Sequence, residues 1–281
     1  VYRLPGDVSS QFVTGLLFAL PLLPEDSEIV LLSPLESKGY VDLTLSILKE
    51  YGVVAQETSQ GYHIPGGQQY TPKNSQVEGD WSQAAFFLCM AALCPTGAPV
   101  EIQGLKPQSL QGDKACVELF QRFGLDISWQ GENLVARNLH AGEPFGGLRG
   151  FEIDASQIPD MVPALAVCGA FSQGETRIVN AQRLRLKESD RLAAMSDAIN
   201  GLGGKAETTP DGMVIWGQPQ VKGGLVQGKN DHRVVMALAA AAFRCQEPLA
   251  VTDAQSIRKS YPGFFRDFTK LGGIAHVLDL G

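Results

Sequence analysis

The sequence predicts an α/β protein made of repeated units. Three observations support this fold class. A succession of helix, strand and helix recurs four times along the 281 residues, and two further strands follow it in the first three units. In each unit the second helix ends on two apolar residues three positions apart, followed at once by glycine. The distance from the opening of a unit to that glycine is 41 to 43 residues. Self-similarity at a fixed period is typical of repeat architectures, in which each unit buries its apolar face against its neighbours.

Each unit opens with a small polar cluster that precedes an alanine- or leucine-rich helix. Short polar side chains cap helix N-termini, so these clusters mark where the first helix begins. They are Ser9-Ser10-Gln11, Ser82-Gln83, Asp160-Met161 and Asp231-His232. A short run of β-forming residues follows each helix and predicts a strand. These runs are Ile29–Leu32, Val100–Gln103, Thr176–Val179 and Leu249–Thr252.

The second helix of every unit has the shared ending. The apolar pairs and their glycines are Leu48, Tyr51 and Gly52; Phe120, Phe123 and Gly124; Ile199, Leu202 and Gly203; and Phe268, Leu271 and Gly272. Residues three apart on a helix share a face, so we expect each pair to face the core. We expect each glycine to adopt the left-handed conformation that ends a helix.

Two more strands follow the glycine in the first three units. The predicted pairs are Val53–Gln56 with Tyr62–Ile64, Leu125–Trp129 with Asn133–Ala136, and Lys205–Glu207 with Met213–Trp216. Glu152–Asp154 and Leu225–Gln227 suit a leading strand in units three and four, so the unit reads βαβαββ. The first unit has almost nothing before its helix, and the fourth has only one strand after its glycine. We therefore expect the sequence to begin partway through a longer protein, with a closing strand supplied from elsewhere.

A polar stretch, Gly66–Glu78, separates the first unit from the other three. Glycine, proline and asparagine in such a stretch are typical of a linker, so a domain boundary is placed there. Residues 1–77 are then the remnant, the last repeat, of an N-terminal lobe. Residues 78–281 form a C-terminal lobe of three repeats.

Composition excludes several classes of function. A net charge of −7 argues against nucleic acid as a partner, and no run of 18 apolar residues predicts a membrane span. The start of the chain does not resemble a secretory leader. Five scattered cysteines form no Cys-x-x-Cys pair, which favours free thiols in the cytoplasm. The four histidines have no ligand-spaced partners, and no phosphate-binding glycine loop is present, so neither metal nor cofactor is expected.

Polar and charged clusters recur where helices begin. A helix N-terminus offers free N–H groups and a partial positive charge, so several of them around one cleft would bind phosphates and carboxylates. Ser9, Ser10 and Gln11 precede such a helix, although an ordinary N-cap explains them equally well. Asp160, after Ile158-Pro159, is likewise either an N-cap or a functional carboxylate.

The run Lys187–Arg191 (KESDR) is expected to begin the second helix of unit three. Lys187 and Glu188 lie four and three residues before Arg191, so the three side chains can share a face. A solvated first turn is the alternative. Cations here oppose the helix dipole, however, and Arg185 adds another just upstream; an anion bound nearby would favour this arrangement.

The fourth unit repeats this pattern. Arg233 follows the plausible cap Asp231 in the first turn of a helix, and Lys259 precedes the second helix. For His232, the alternative to a functional role is a core or capping histidine. For Lys259, the alternative is a basic surface turn. We expect the charged residues to converge on one face of the C-terminal lobe: Asp160, Lys187, Glu188, Arg191, Arg233 and Lys259.

These motifs, in this order, resemble the 5-enolpyruvylshikimate-3-phosphate (EPSP) synthase family along the entire chain. The motifs are Gly6–Phe12 (GDVSSQF), Ile158–Asp160 (IPD), Arg185–Arg191 (RLKESDR), Asn230–Arg233 (NDHR) and Lys259–Phe265 (KSYPGFF). The resemblance implies two lobes, each of three βαβαββ units around a pseudo-threefold axis, the inside-out α/β barrel of the enolpyruvyl transferases. It also implies that strands from the extreme N-terminus of the protein complete the C-terminal lobe.

The resemblance implies transfer of the enolpyruvyl group from phosphoenolpyruvate to the 5-hydroxyl of shikimate 3-phosphate. The residues that would bind shikimate 3-phosphate are Ser9, Ser10 and Ser37 at its phosphate, Gln11 at its ring, Tyr40, and Asp160 and Lys187 at its hydroxyls. Those that would hold phosphoenolpyruvate are Arg191, Arg233 and Lys259. Asp160 would take the proton from the attacking hydroxyl, with Lys187 beside it, and Glu188 would serve proton transfer at the methylene.

The chain departs from the family pattern in two ways. Arg183 stands where many members have asparagine, so no substrate contact is carried over to it. The N-terminal half of the family, with its Lys-Ser motif, Asn-Ala-Gly-Thr loop and a further arginine, is not in this sequence; that portion is a possible partner, and the chain alone is expected to be inactive. The alternatives are UDP-N-acetylglucosamine enolpyruvyl transferase, which lacks the KESDR motif, and a ring-like nucleic-acid clamp, which the acidic pI of about 5.2 disfavours.

Overall fold

The computed structural model describes residues 1–278, and its helices and strands follow the predicted repeat. Unit one contains β1 (Tyr2–Leu4), α1 (Ser10–Ala19), β2 (Ser27–Leu31), α2 (Lys38–Glu50), β3 (Gln56–Thr58) and β4 (Gly61–Ile64). Unit two contains α3 (Trp81–Leu93), β5 (Val100–Ile102), α4 (Cys116–Phe123), β6 (Asp126–Gln130) and β7 (Asn133–Arg137). Unit three contains β8 (Glu152–Asp154), α5 (Val162–Ala170), β9 (Glu175–Val179), α6 (Arg191–Gly201), β10 (Lys205–Thr208) and β11 (Met213–Trp216). Unit four contains β12 (Gly224–Val226), α7 (His232–Ala241), β13 (Leu249–Val251) and α8 (Phe264–Lys270).

The sheets show that the units share one topology. The strand order is β1-β2-β4-β3 in unit one and β8-β9-β11-β10 in unit three. In both, the first two strands are parallel and the remaining pairs are antiparallel. Unit two has the order β5-β7-β6, and β12 and β13 of unit four form a parallel pair. The repeat predicted from the spacing of glycines is therefore a repeat of strand order as well.

The glycines that end the second helices have positive φ, as expected. The values are +81° at Gly52, +120° at Gly124, +89° at Gly203 and +90° at Gly272. The prediction that both apolar residues of each pair face the core is wrong for Leu271, which is 40% exposed because α8 ends one residue earlier and only Phe268 reaches the core. Tyr51 is half-buried, since its hydroxyl lies at the surface, 2.6 Å from Ser75 Oγ.

Two strands of unit one differ from the prediction. A leading strand is present: β1 pairs in parallel with β2, Tyr2 opposite Ile29, so the expectation of almost nothing before α1 is wrong. The strand after Gly52 begins at Gln56 and not at Val53. Val53 N–H bonds back to Leu48 O, and the next amide donates to Gln68 Oε1, so both are engaged outside the ladder.

The strand expected after Gly272 is not formed in the described part of the chain. Gly273–Leu278 has no ladder partner within residues 1–278, and Ile274 and Val277 are exposed. Residues 279–281 lie outside the described residues. Backbone groups join a sheet only where a neighbouring strand presents its free edge, so periodicity within the segment could not decide this point.

The core consists of two separate hydrophobic clusters. The larger one spans units two to four and centres on the first helices α3, α5 and α7, whose residues are all buried. The smaller one belongs to unit one and includes Val13 and Leu48. No helix within residues 1–278 has the length and apolar character to cross a membrane.

Candidate active site

The start of α6 sets the geometry of the charged cluster. The helix begins at Arg191, because Asp190 is its N-cap and accepts from Ala193 N–H at 3.0 Å. The prediction that Lys187 begins this helix is wrong: Lys187–Ser189 lie in the loop between the 3₁₀ turn Gln182–Leu186 and α6. Arg191 thus occupies the first helical position, and the preceding loop is free to turn its side chains toward the neighbouring helices.

Arg191 is a buried guanidinium held by three carboxylates, two from unit three and one from unit four. Its Nε lies 2.8 Å from Asp231 Oδ2, and its Nη1 lies 2.8 Å from Asp160 Oδ1. Its Nη2 lies 2.6 Å from Glu188 Oε2. The planar fork of arginine matches several carboxylates at fixed angles, so this one side chain fixes where the carboxylates stand.

Arg233 contributes the second guanidinium of the cluster. Asp231 caps α7 and accepts from Arg233 N–H at 3.0 Å, which starts the helix with Arg233 in its first turn. The Arg233 side chain reaches across to unit three, where its Nη2 lies 3.0 Å from Asp160 Oδ2. The two oxygens of Asp160 are thereby shared between Arg191 and Arg233.

The remaining predicted cations border this cluster. Lys187 Nζ lies 4.0 Å from Asp160 Oδ1. Lys259, in the turn Ala254–Lys259, donates from Nζ to the backbone oxygen of Asn230, next to the cap of α7. All six residues expected to converge therefore gather around the N-termini of α5, α6 and α7.

The charges act strongly on one another. Burial alone would raise the pKa of Asp160, but the positive charges of Arg233, Arg191 and Lys187 outweigh it and hold the pKa at about 2. Burial opposes ionisation of Asp231 too, yet its pair with Arg191 keeps that pKa below the usual range. Both carboxylates are thus anions at neutral pH.

The predicted residues of unit one lie at the starts of α1 and α2. Ser9 caps α1 and accepts from Gln11 N–H at 3.3 Å; Ser10 is buried and Gln11 is exposed. No hydrogen bond or ion pair in the part of the chain that the structure describes joins these three to Asp160 or the arginines. Ser37 and Tyr40, at the start of α2, do contact the other units.

Tyr40 reveals a residue that the motifs did not predict. Its hydroxyl donates to Asp113 Oδ2 at 2.6 Å, and Asp113 is fully buried. Burial raises the pKa of Asp113 to about 7, against the lowering effect of the Tyr40 hydrogen bond, with Asp160 raising it further. Burial and Asp113 also raise the pKa of Tyr40. Asp113 precedes the second helix of unit two, the place that Lys187 occupies in unit three, so comparison of equivalent positions in the repeat could have found it.

Arg183 is the second residue that the motifs did not assign. It is buried in the 3₁₀ turn before α6, and its Nη2 donates to Ser37 Oγ at 2.7 Å. Lys38 N–H adds a contact by donating to Gln157 Oε1 at 3.0 Å. The start of α2 is therefore attached to unit three beside the charged cluster.

This arrangement combines fixed cations with carboxylates on one surface. Guanidinium groups at helix N-termini bind anionic groups such as phosphates and carboxylates. A carboxylate between two such cations can accept a proton once those cations engage another anion. The cluster is therefore suited to chemistry on anionic substrates in which a proton moves.

Comparisons with known proteins identify the family of the chain. The family model described as EPSP synthase (3-phosphoshikimate 1-carboxyvinyltransferase) matches residues 2–268. A 3-phosphoshikimate 1-carboxyvinyltransferase of Clostridium perfringens is 44% identical over 274 residues, 97% of this chain and 62% of the relative. That of Clostridium kluyveri is 45% identical over 273 residues, with the same coverage of both chains. The chain thus spans about 62% of the length of these curated relatives.

Solved structures share the fold. An EPSP synthase from Acinetobacter baumannii superposes with a TM-score of 0.82 at 24% identity, covering 99% of this chain and 63% of the other. The enolpyruvyl transferase NikO from Streptomyces tendae superposes with a TM-score of 0.74 at 19% identity, covering 96% and 61%.

Proposed function

Because the chain belongs to the EPSP synthase (3-phosphoshikimate 1-carboxyvinyltransferase) family, we propose that it is part of an enzyme that transfers the enolpyruvyl group of phosphoenolpyruvate to shikimate 3-phosphate. The acceptor is the 5-hydroxyl, the second product is phosphate, and the reaction serves the shikimate pathway to aromatic amino acids. The observation that carries this proposal is the fork of Arg191, which holds Asp160, Glu188 and Asp231 within 2.8 Å while Arg233 holds Asp160 from the other side.

Binding of phosphoenolpyruvate is assigned to Arg191, Arg233 and Lys259. Arg233 is the best placed of them, because it retains some exposure and has one carboxylate partner. Arg191 has no exposure and three carboxylate partners, so it acts mainly by holding the carboxylates in position. An anion that engages Arg233 weakens the hold of that cation on Asp160, which raises the proton affinity of the carboxylate.

The reaction is an addition followed by an elimination. Asp160 takes the proton of the 5-hydroxyl as its oxygen bonds to C2 of phosphoenolpyruvate, while Glu188 gives a proton to the methylene carbon. In the tetrahedral intermediate the C2–O bond to phosphate breaks as Asp160 returns its proton to the departing phosphate oxygen, and Glu188 takes a proton from the new methyl group to restore the double bond. Each moving proton needs a carboxylate at hydrogen-bond distance, and the developing charge needs fixed cations.

Binding of shikimate 3-phosphate is assigned to unit one and to the loop before α6. Ser9, Ser10 and Ser37 hold its phosphate, with Gln11 at the ring and Tyr40 nearby. Lys187 and Asp160 bind its hydroxyls, and their 4.0 Å separation supports a shared ligand. No cofactor takes part in this proposal.

The chain comprises parts of two lobes in this proposal. Residues 1–77 are the last repeat of the N-terminal lobe and residues 78–281 the C-terminal lobe, a division supported by the two separate hydrophobic clusters. The remaining portion of the N-terminal lobe is the partner that completes the site. Five free thiols suit the cytoplasm. The alternative, UDP-N-acetylglucosamine enolpyruvyl transferase, is not favoured, because the family model and the curated relatives are those of the shikimate enzyme.

Turnover assays test the proposal. The chain is supplied with the N-terminal portion of the C. perfringens relative, as a fragment or as a fusion, and phosphate release from phosphoenolpyruvate is measured. We expect release only when shikimate 3-phosphate is present, and a loss of about 100-fold or more in Asp160→Asn. Asp126→Asn, an exposed carboxylate paired with Arg137, is the matched control. Turnover with UDP-N-acetylglucosamine as the acceptor would contradict the proposal. A folded fusion that turns over neither acceptor would contradict it as well.

A further inference from the structure

Arg183 is a buried cation that joins unit one to unit three. Only 7% of the residue is exposed. Its Nη2 donates both to Ser37 Oγ, at 2.7 Å, and to the backbone oxygen of Ser156, at 2.6 Å. Its Nε lies 2.8 Å from Glu36 Oε2. A single guanidinium thus ties the turn that starts α2 to the loop after β8.

These contacts determine which way the Ser37 hydroxyl can donate. A guanidinium has only donors, so Ser37 Oγ must accept from Arg183. The one hydroxyl proton of Ser37 is then left to donate to a different acceptor. A hydroxyl that accepts a charge-assisted bond is also a stronger donor, because the bonds polarise one another.

The backbone of Ser37 indicates that this orientation serves a purpose. Ser37 has φ of +54°, in the left-handed region, which a residue other than glycine occupies only at an energetic cost. It stands at the N-cap position of α2, yet within residues 1–278 its side chain makes no capping bond to that helix. The usual reason for a serine at this position therefore does not apply.

Glu36 is a loosely held counter-ion to Arg183. The Nε–Oε2 contact lacks hydrogen-bond alignment, and among the described residues neither atom has another hydrogen-bond partner. Burial raises the pKa of Glu36, and the nearby carboxylates of Asp7 and Asp154 raise it further, while Arg183 lowers it. A carboxylate that is partly desolvated and repelled by two neighbours is one that another anion can displace.

We propose that Arg183 is a positioning residue for the phosphate of shikimate 3-phosphate: it turns the Ser37 hydroxyl toward the phosphate, and Glu36 opposes the binding of that anion. This inference rests on the proposed function, which assigns the phosphate to Ser9, Ser10 and Ser37. It adds a residue to which that assignment gave no role. Arg183 acts through Ser37, and Glu36 sets how strongly the subsite attracts a dianion.

Calorimetric titration of the fusion with the N-terminal portion of the C. perfringens relative tests the inference, with shikimate 3-phosphate and shikimate as the two ligands. Arg183→Asn should weaken binding of shikimate 3-phosphate about tenfold or more, the change that corresponds to about 1.4 kcal/mol, and should leave shikimate unaffected. Glu36→Gln should strengthen binding of shikimate 3-phosphate, because it removes a competing negative charge. Arg137→Asn, which breaks an exposed ion pair with Asp126 at 3.2 Å, is the control and should change neither.

A double-mutant cycle separates positioning from a purely structural strut. If Arg183 acts through Ser37, Ser37→Ala and Arg183→Asn together should weaken binding hardly more than either alone. Additive losses, or weaker binding in Glu36→Gln, would show that Arg183 only braces the fold. Unchanged affinity in Arg183→Asn, with wild type binding normally, would overturn this inference alone. No binding of shikimate 3-phosphate by the wild-type fusion would overturn the proposed function and this inference with it.

Discussion

Arg191 Nε and Asp231 Oδ2 lie 2.8 Å apart in a pair from which solvent is excluded, since both residues have 0% exposure. The pair connects the first residue of α6 to the N-cap of α7. Because the guanidinium is rigid and planar, anchoring Nε to Asp231 directs Nη1 toward Asp160 and Nη2 toward Glu188. The positions of both proposed proton carriers thus depend on one buried contact.

Arg191→Ala should therefore make the protein much easier to unfold. Removing one partner of a buried ion pair leaves the other charge uncompensated, at a cost of about 3–5 kcal/mol. Urea unfolding at pH 7 measures the loss. Arg137→Ala, at an exposed pair with Asp126, should cost less than about 1 kcal/mol. Equal losses in the two variants would show that the Arg191 contacts contribute little.

Arg233→Ala should affect phosphoenolpyruvate use more than folding. Arg233 has one carboxylate partner, Asp160, which keeps Arg191 as a second partner after the substitution. In the complete enzyme, loss of a charge-assisted bond to the substrate should cost roughly 1.5–3 kcal/mol in kcat/KM for phosphoenolpyruvate. Steady-state kinetics and a melting curve on one preparation decide the matter. A large fall in Tm with unchanged kinetics would count against the assignment.

Asp113 should make stability fall as pH rises. Its pKa is about 7 in the folded state, against a usual value near 3.8. Between about pH 4 and pH 7 the folded state therefore holds a proton that the unfolded state has released, so the free energy of unfolding decreases by up to about 1.4 kcal/mol per pH unit.

Asp113→Asn removes this dependence, since an amide does not ionise and its oxygen can still accept from Tyr40. In urea unfolding, we expect the free energy of unfolding of the variant minus that of the wild type to increase from pH 5 to pH 8. The control is Gln130→Asn, an exposed position of β6 whose side chain cannot ionise, and its pH profile of stability should run parallel to that of the wild type. A parallel profile for Asp113→Asn would mean that the carboxyl group ionises normally.

The 281-residue chain alone should fold yet turn over little or no substrate. Units two to four bury their central helices against one another, which provides most of a core. Apolar side chains of unit one are exposed, among them Phe12 at 57% and Leu22 at 57%. In the proposal the site lies between two lobes, so this chain cannot exclude water from the substrates. Circular dichroism tests whether the chain folds, and a phosphate-release assay tests whether it turns over substrate. Turnover close to that of an intact relative would disprove this prediction.

Many parts of the fold could be predicted from local pattern. The glycine endings and nearly all the strand positions in units two and three follow from spacing, because a helix end and a strand each depend on neighbouring residues. The predicted start of α6, at Lys187, was wrong by four residues, since Asp190 and not the residue before Lys187 provides the cap. The leading strand β1 was missed because three residues carry too little periodicity to be recognised.

The amino-acid sequence by itself determined the repeat, the polar clusters at helix N-termini and the residue types available for anion chemistry. Only the tertiary structure decided which of these side chains meet. The pairs Arg191–Asp231, Tyr40–Asp113 and Arg183–Ser37 join residues 40, 73 and 146 positions apart. Such contacts depend on how the units pack, because the position of a side chain in space is set by the helix that carries it and by the neighbours of that helix. Asp113 and Arg183 were missed for this reason: nothing within a few residues of either distinguishes a buried partner of another unit from an ordinary surface charge.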